Sequence, residues 1–208
     1  MSRRLPVVAV VGRPNVGKST FFNRLLGSRI AIVDDRPGVT RDRNFGKADW
    51  AGRAFFVVDT GGVIEGSEEP LDRAIRQQAM AAVEEADVIL FLVDGKAGVH
   101  PLDEKLAEVL RKADKPVLVV VNKVDNLPND PAHHDFWSLG MGEPLPVSAI
   151  SGKGTGDLLD RVLARAGQVL ATLRARGLSP EAMALEILED LGYAADHGQQ
   201  AGLGAAGG

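Results

Sequence analysis

Gly12-Arg13-Pro14-Asn15-Val16-Gly17-Lys18-Ser19 places two glycines, a lysine and a hydroxyl at the spacing G-x-x-x-x-G-K-S. Glycines let the backbone curl so that successive N–H groups point inward and, with a following helix N-terminus, cradle anionic oxygens. Lys18 would reach the β- and γ-phosphates of a nucleotide, and the Ser19 hydroxyl would sit on the Mg²⁺ that bridges them. A glycine-rich turn alone carries no such meaning, but Lys-Ser at this spacing points to a nucleoside triphosphate. Gly12, Asn15, Val16, Gly17, Lys18, Ser19 and Thr20 are the expected nucleotide contacts of this segment.

Three further groupings fit the same ligand. In Asp59-Thr60-Gly61-Gly62, Asp59 can hold Mg²⁺ directly or through its water, and the Gly62 N–H can approach the γ-phosphate with no side chain in the way. Alone, D-x-x-G reads as a turn; downstream of a phosphate loop it reads as part of the site. In Asn122-Lys123-Val124-Asp125, the Asp125 carboxylate can accept two parallel hydrogen bonds from N1–H and the exocyclic amine of guanine. Adenine offers no such donor pair, so Asp125 selects GTP over ATP. The Lys123 stem can lie along the base plane, and Asn122 can brace neighbouring loops. Ser148-Ala149-Ile150 would place a backbone N–H against guanine O6, although by itself the triplet means little.

These groups need elements to position them. Short β-branched runs alternate with helical stretches, the pattern of an α/β protein. Strands are expected over Pro6–Val11, Val88–Val93, Pro116–Val121 and Leu145–Val147, with an antiparallel hairpin of Phe45–Trp50 and Arg53–Val58 ending at Asp59. Helices are expected over Lys18–Leu26 and where apolar residues recur at helical spacing: Leu71 to Ala86, Leu102 to Leu110 and Leu158 to Leu170. The order predicts an α/β P-loop NTPase fold of three layers, a mostly parallel sheet of about six strands with helices on both faces. Each motif then falls at the carboxyl end of a strand, where open α/β sheets bind ligands. Gly27 to Arg43 is a long segment without a period, hence functional or disordered. Residues 1–173 are expected to form this domain. Ser179-Pro180-Glu181 starts a short helix through Leu191 in an appendage over 174–198, and 199–208 is a Gly/Ala-rich tail expected to be disordered.

Composition narrows the partners. Of 208 residues, 24 are basic and 28 acidic, a formal charge of −4, so no global field draws the chain to nucleic acid. Any RNA contact must be local, and DNA is not an expected partner. The absence of cysteine removes disulfides and thiolate zinc sites and fits a reducing compartment. The N-terminus lacks a signal-peptide pattern, and no apolar run approaches the ~18 residues of a membrane span. A cytoplasmic protein with no membrane partner is the expectation.

The ordered set of motifs resembles the translation-factor-type P-loop GTPases. More closely, the phosphate loop, Asp35-Arg36-Pro37-Gly38-Val39-Thr40-Arg41-Asp42-Arg43, Asp59-Thr60-Gly61-Gly62 and Gly142-Glu143-Pro144-Leu145-Pro146-Val147-Ser148-Ala149 look like the first G domain of the Der (EngA) bacterial ribosome-assembly GTPases. The likeness covers roughly residues 5–170. It implies a GTPase that binds GTP and GDP with Mg²⁺ and acts as a switch in large ribosomal subunit assembly, with the ribosome or its RNA as partner. It also implies that Thr40 ligates Mg²⁺ and senses the γ-phosphate, so that loss of that phosphate releases Thr40 and Gly62. Val63 stands where Ras-like GTPases carry the glutamine that orients the attacking water. In similar GTPases with a hydrophobic residue there, K⁺ supplies positive charge, ligated partly by a phosphate-loop asparagine, and Asn15 matches it. Lys18, Thr40, Gly62 and Asn15 are thus the expected catalytic set, with Ser19, Thr40 and Asp59 on Mg²⁺ and Asn15 on K⁺. The alternative is a guanine-nucleotide switch with negligible turnover of its own, needing a partner or further domains. Der proteins continue into a second G domain and a KH-like domain that have no counterpart in these residues. The chain is therefore expected to be a fragment, a truncated product or a divergent single-domain protein.

Other groupings have plainer readings. Arg36, Arg41 and Arg43 could meet RNA or phosphate, though loop arginines are commonly just solvated. His133-His134 is a possible metal pair, but no further ligand cluster is near, adjacent side chains are expected to splay apart, and loop histidines are the plainer reading.

Overall fold

A computed structural model describes residues 5–27, 44–60, 71–127 and 131–175. Six strands form one sheet in the order β2-β3-β1-β4-β5-β6. They are β1 Val7–Val11, β2 Asn44–Trp50, β3 Arg53–Asp59, β4 Val88–Asp94, β5 Val117–Asn122 and β6 Leu145–Pro146. β2 runs antiparallel to β3 and every other pairing is parallel. The sheet is thus mostly parallel, with one antiparallel edge strand. The β2–β3 hairpin closes through Ala51 and Gly52, both at positive φ, the twist that two-residue hairpin turns favour.

Both faces of the sheet are covered. β1 and β4 are continuously apolar up to Val93, as strands buried on both sides must be. Successive side chains point to opposite faces. Val8, Val10, Leu90 and Leu92 therefore join Phe21, Phe22 and Leu25 of α1 (Lys18–Leu26) and Leu158, Val162 and Leu163 of α4 (Thr155–Ala175). Ala9, Val11, Ile89, Phe91 and Val93 join Ala79 and Ala82 of α2 (Leu71–Glu85) and Leu106 and Leu110 of α3 (Pro101–Leu110) on the other face.

α3 opens with a capping box. The Leu102 N–H donates to His100 Nδ1 at 3.1 Å, and the His100 N–H to Asp103 Oδ2 at 3.2 Å.

One element had no sequence expectation: a 3₁₀ helix over Pro131–Leu139, which inserts Phe136 and Leu139 into the core beside α3. His133 and His134 lie in it. Contrary to the expected splay, their rings meet edge to face with centroids 4.3 Å apart. Among the described residues no group of three or more His, Cys, Asp or Glu could hold a metal, and no helix is long and apolar enough to cross a membrane. The loop carrying Arg36, Thr40, Arg41 and Arg43, the positions Gly62 and Val63, and the expected appendage and tail beyond residue 175 lie outside the described residues.

Candidate nucleotide-binding site

β1 ends at Val11 and α1 begins at Lys18, so the phosphate loop spans the gap between a buried strand and a helix N-terminus. Its first residue touches the sheet: a Cβ on Gly12 would run into the Leu92 carbonyl oxygen. Gly17 caps α1 at φ 95°, and a Cβ there would come within 2.5 Å of Asn122 Nδ2. Between them Asn15 takes φ 66°, a left-handed turn that asparagine tolerates better than most side chains. The loop thus curls so that its amides can face inward. Lys18 is buried, and its Nζ donates to the Arg13 carbonyl at 2.9 Å, folding the ammonium back over the loop. Ser19 and Thr20 stand exposed on the first turn of α1.

The β5 corner is fastened to this loop. Asn122, 2% exposed, donates from Nδ2 to the Val16 carbonyl at 2.9 Å and accepts the Ala149 N–H on Oδ1 at 3.0 Å. Lys123, at φ 68°, donates from Nζ to the Asn15 carbonyl at 2.7 Å. Ser148 Oγ donates to Asp125 Oδ1 at 2.9 Å. One continuous network therefore joins the phosphate loop, the Asn122–Asp125 corner and the Ser148–Ile150 loop. Asp59 is also brought to this edge of the sheet, since its Cα pairs with Val10 across β3 and β1, and its neighbour Thr60 donates from Oγ1 to the Val10 carbonyl at 2.9 Å. Thr40 and Gly62 fall outside the described residues.

Two crossed ion pairs brace the corner. Lys123 Nζ lies 2.6 Å from Asp94 Oδ2, and Lys96 Nζ lies 2.7 Å from Asp125 Oδ2. Burial pushes the Asp94 carboxyl up, but the Lys123 ammonium and the N–H groups of Lys96 and Ala97 outweigh it and hold Asp94 below its ordinary value. Asp125 is held low as well, first by Lys96 and then by the Ser148 hydroxyl. It stays ionised, and each of its oxygens keeps a second lone pair for a further donor. An exposed carboxylate oriented this way can accept the paired N–H groups of a guanine edge.

Sequence reasoning passed over Asp94, Lys96 and Arg24. Arg24, in the last turn of α1, donates from Nε to the Ala149 carbonyl at 2.8 Å and from Nη2 to that of Ile150, tying the Ser148–Ile150 loop to the helix that follows the phosphate loop. A cation near a helix C-terminus was the one available signal, and it does not name a partner 125 residues away.

Known proteins resemble this chain in sequence and fold. A family described as "50S ribosome-binding GTPase" matches residues 7–123. GTPase Der from Heliobacterium modesticaldum is 59% identical over 160 residues, 76% of this chain and 36% of that protein. GTPase Der from Gemmatimonas aurantiaca is 56% identical over 168 residues, 79% of this chain and 38% of that one. The chain thus spans little more than a third of the length of these relatives. Among solved structures, Aquifex aeolicus Era bound to GDP·AlF4⁻ superposes with a TM-score of 0.62 at 32% identity, covering 78% of this chain and 57% of that one. Era in complex with MgGDPNP and part of 16S ribosomal RNA gives 0.60 at 32% identity, covering 79% and 57%. Because the family match runs from β1 to Lys123, taking in the phosphate loop and the two corner residues, Asn122 and Lys123, that are locked to it, the chain belongs to the 50S ribosome-binding GTPase family.

Proposed function

We propose that residues 1–173 bind Mg·GTP and hydrolyse it to GDP and phosphate, and that the chain serves as a switch in assembly of the large ribosomal subunit. The carrying observation is the network that locks the phosphate loop to the guanine corner, Val16 to Asn122 and Asn15 to Lys123. Phosphates and base are thereby read by one rigid unit. Gly12 to Thr20 hold the phosphates, Asp125 the guanine edge and a backbone N–H of the Ser148–Ile150 loop its O6. Ser19 and Asp59 offer only hard oxygen donors beside the loop, the set Mg²⁺ prefers, and few protein carboxylates suffice when phosphates complete the shell. Ser19 and Asp59, with Thr40, would hold Mg²⁺, which would supply positive charge against the phosphates.

Lys18 and the loop amides stabilise the charge that develops as water attacks in line. With Val63 in place of a glutamine, Asn15, which is exposed and already turned into the left-handed region, would hold K⁺, and that ion would supply the positive charge. Losing the γ-phosphate then frees Thr40 and Gly62, which relaxes their loops. The ribosomal role draws on the family's description and on the Der relatives; the RNA-bound Era structure supports an RNA contact in the wider group.

The test is GTP turnover by the purified chain in matched K⁺ and Na⁺, with GTP and GDP binding measured on the same preparation. Faster hydrolysis in K⁺ supports the full reading, and equal rates remove the Asn15 cation. Tight binding without turnover in either salt replaces it with a binding switch that needs a partner or further domains.

A further inference from the structure

Arg13 belongs to the phosphate loop, yet its side chain leaves the loop. Its Nε lies 3.4 Å from both carboxylate oxygens of Asp103, the third residue of α3. The Asp103 side chain is fully buried and that of Arg13 is 13% exposed. Burial pushes the Asp103 carboxyl above its ordinary value, and Arg13 together with the His100 N–H pulls it back only in part. Arg13 Nη2 and Asp103 Oδ1 make no hydrogen bond. This pair is long and only partly satisfied, in a place where a buried charge is costly without its partner.

Its position gives it a second consequence. The Arg13 carbonyl is the group that receives Lys18 Nζ. The far half of the loop is fastened elsewhere, Val16 to Asn122 at the end of β5 and Asn15 to Lys123 just after it. The Arg13 side chain fastens the near half, and it does so to α3. Pro14 follows with its φ restrained by the ring, so a tilt at Arg13 is passed along the loop rather than absorbed.

We propose that Arg13 is a positioning residue, which fixes the phosphate loop to the start of α3 through Asp103 and thereby sets where Lys18 meets the γ-phosphate. The inference rests on the GTPase reading above. Hydrolysis is sensitive to such placement, because a shift of about 1 Å in a charged group can cost on the order of a hundredfold in rate.

The experiment compares the full chain with Arg13→Met and with Arg13→Met/Asp103→Asn, measuring melting temperature, GDP affinity, and kcat and KM for GTP. The single variant strands the Asp103 charge and melts lower. In the double variant both charges are gone, the introduced amide oxygen can still accept the His100 N–H, and the melting temperature returns to within about 3 °C of the parent. Its kcat stays at least about tenfold down while KM moves less than about threefold. Recovery of kcat together with stability would show a purely structural pair and overturn the inference. If the parent itself turns over no GTP, the GTPase reading has failed instead. Arg13 is then judged by the ratio of GTP to GDP affinity, which the double variant must lower about tenfold for the inference to stand.

Discussion

Asn122 Nδ2 donates to the Val16 carbonyl at 2.9 Å, joining residues 106 positions apart, and its Oδ1 accepts the Ala149 N–H. One buried amide thus holds three loops in a single arrangement. Asn122→Ala leaves a buried carbonyl and a buried amide unpaired, a loss of roughly 2–4 kcal/mol. The expected result is a melting temperature lower by about 5–15 °C without nucleotide. An unchanged melting curve would show that the loops are held by something else.

Asp125 and Lys96 should separate cleanly. Asp125→Asn replaces one acceptor oxygen with a donor, so GDP affinity falls about 10- to 100-fold while xanthosine diphosphate gains. Lys96→Met removes a pair whose side chains are 65% and 47% exposed, and GDP affinity moves by no more than about fivefold. Competition binding of the two nucleotides reads both, and retained guanine selectivity in Asp125→Asn would remove this residue from the base site.

The acid limb of stability should depend on Asp94. Its folded pKa lies below the ordinary value of 3.8, so its contribution is present above 3.8 and is lost as pH falls through the folded value. Asp103 acts in the opposite sense: its raised pKa favours the protonated fold, so stability falls as pH rises from 3.8 through the folded value. Asp94→Asn should lower the urea midpoint at neutral pH and flatten its acid limb. Parallel midpoint-against-pH curves for variant and parent would contradict this.

Gly52 and Gly154 both take positive φ, 72° and 74°, but their surroundings differ. A Cβ at Gly52 meets nothing within 4 Å, whereas at Gly154 it would strike the Pro146 carbonyl oxygen and lie 3.2 Å from Leu127 Cδ1. Gly52→Ala should cost about 1 kcal/mol from backbone strain alone, and Gly154→Ala about 2–4 kcal/mol. Equal losses in denaturant titrations would mean that the loop before α4 simply moves aside.

What the sequence made readable follows the range of each interaction. The hairpin, the buried strands and α1 are local patterns, and their observed bounds lie within a residue or two of those expected. The grouping of Gly12 to Thr20 with Asn122 to Asp125 was also accessible, because each motif sits at a strand end and the βα order brings those ends together. Arg13–Asp103 and Arg24–Ala149 were not. Their partners lie 90 and 125 positions apart, and nothing in local spacing selects one carboxylate or carbonyl among many. The 3₁₀ helix was missed for another reason: Phe136 and Leu139 repeat at three residues, too short a run to stand out from a loop.

The two outer strands carry a further consequence. β6 is only two residues long, and Pro146, one of the two, has no N–H to offer another chain. At the opposite margin β2 exposes Lys47 and Asp49, whose charges would have to be desolvated before a foreign strand could add. Among the described residues, a sheet whose four inner strands are strongly apolar thus presents two outer strands that are poor templates for a further copy.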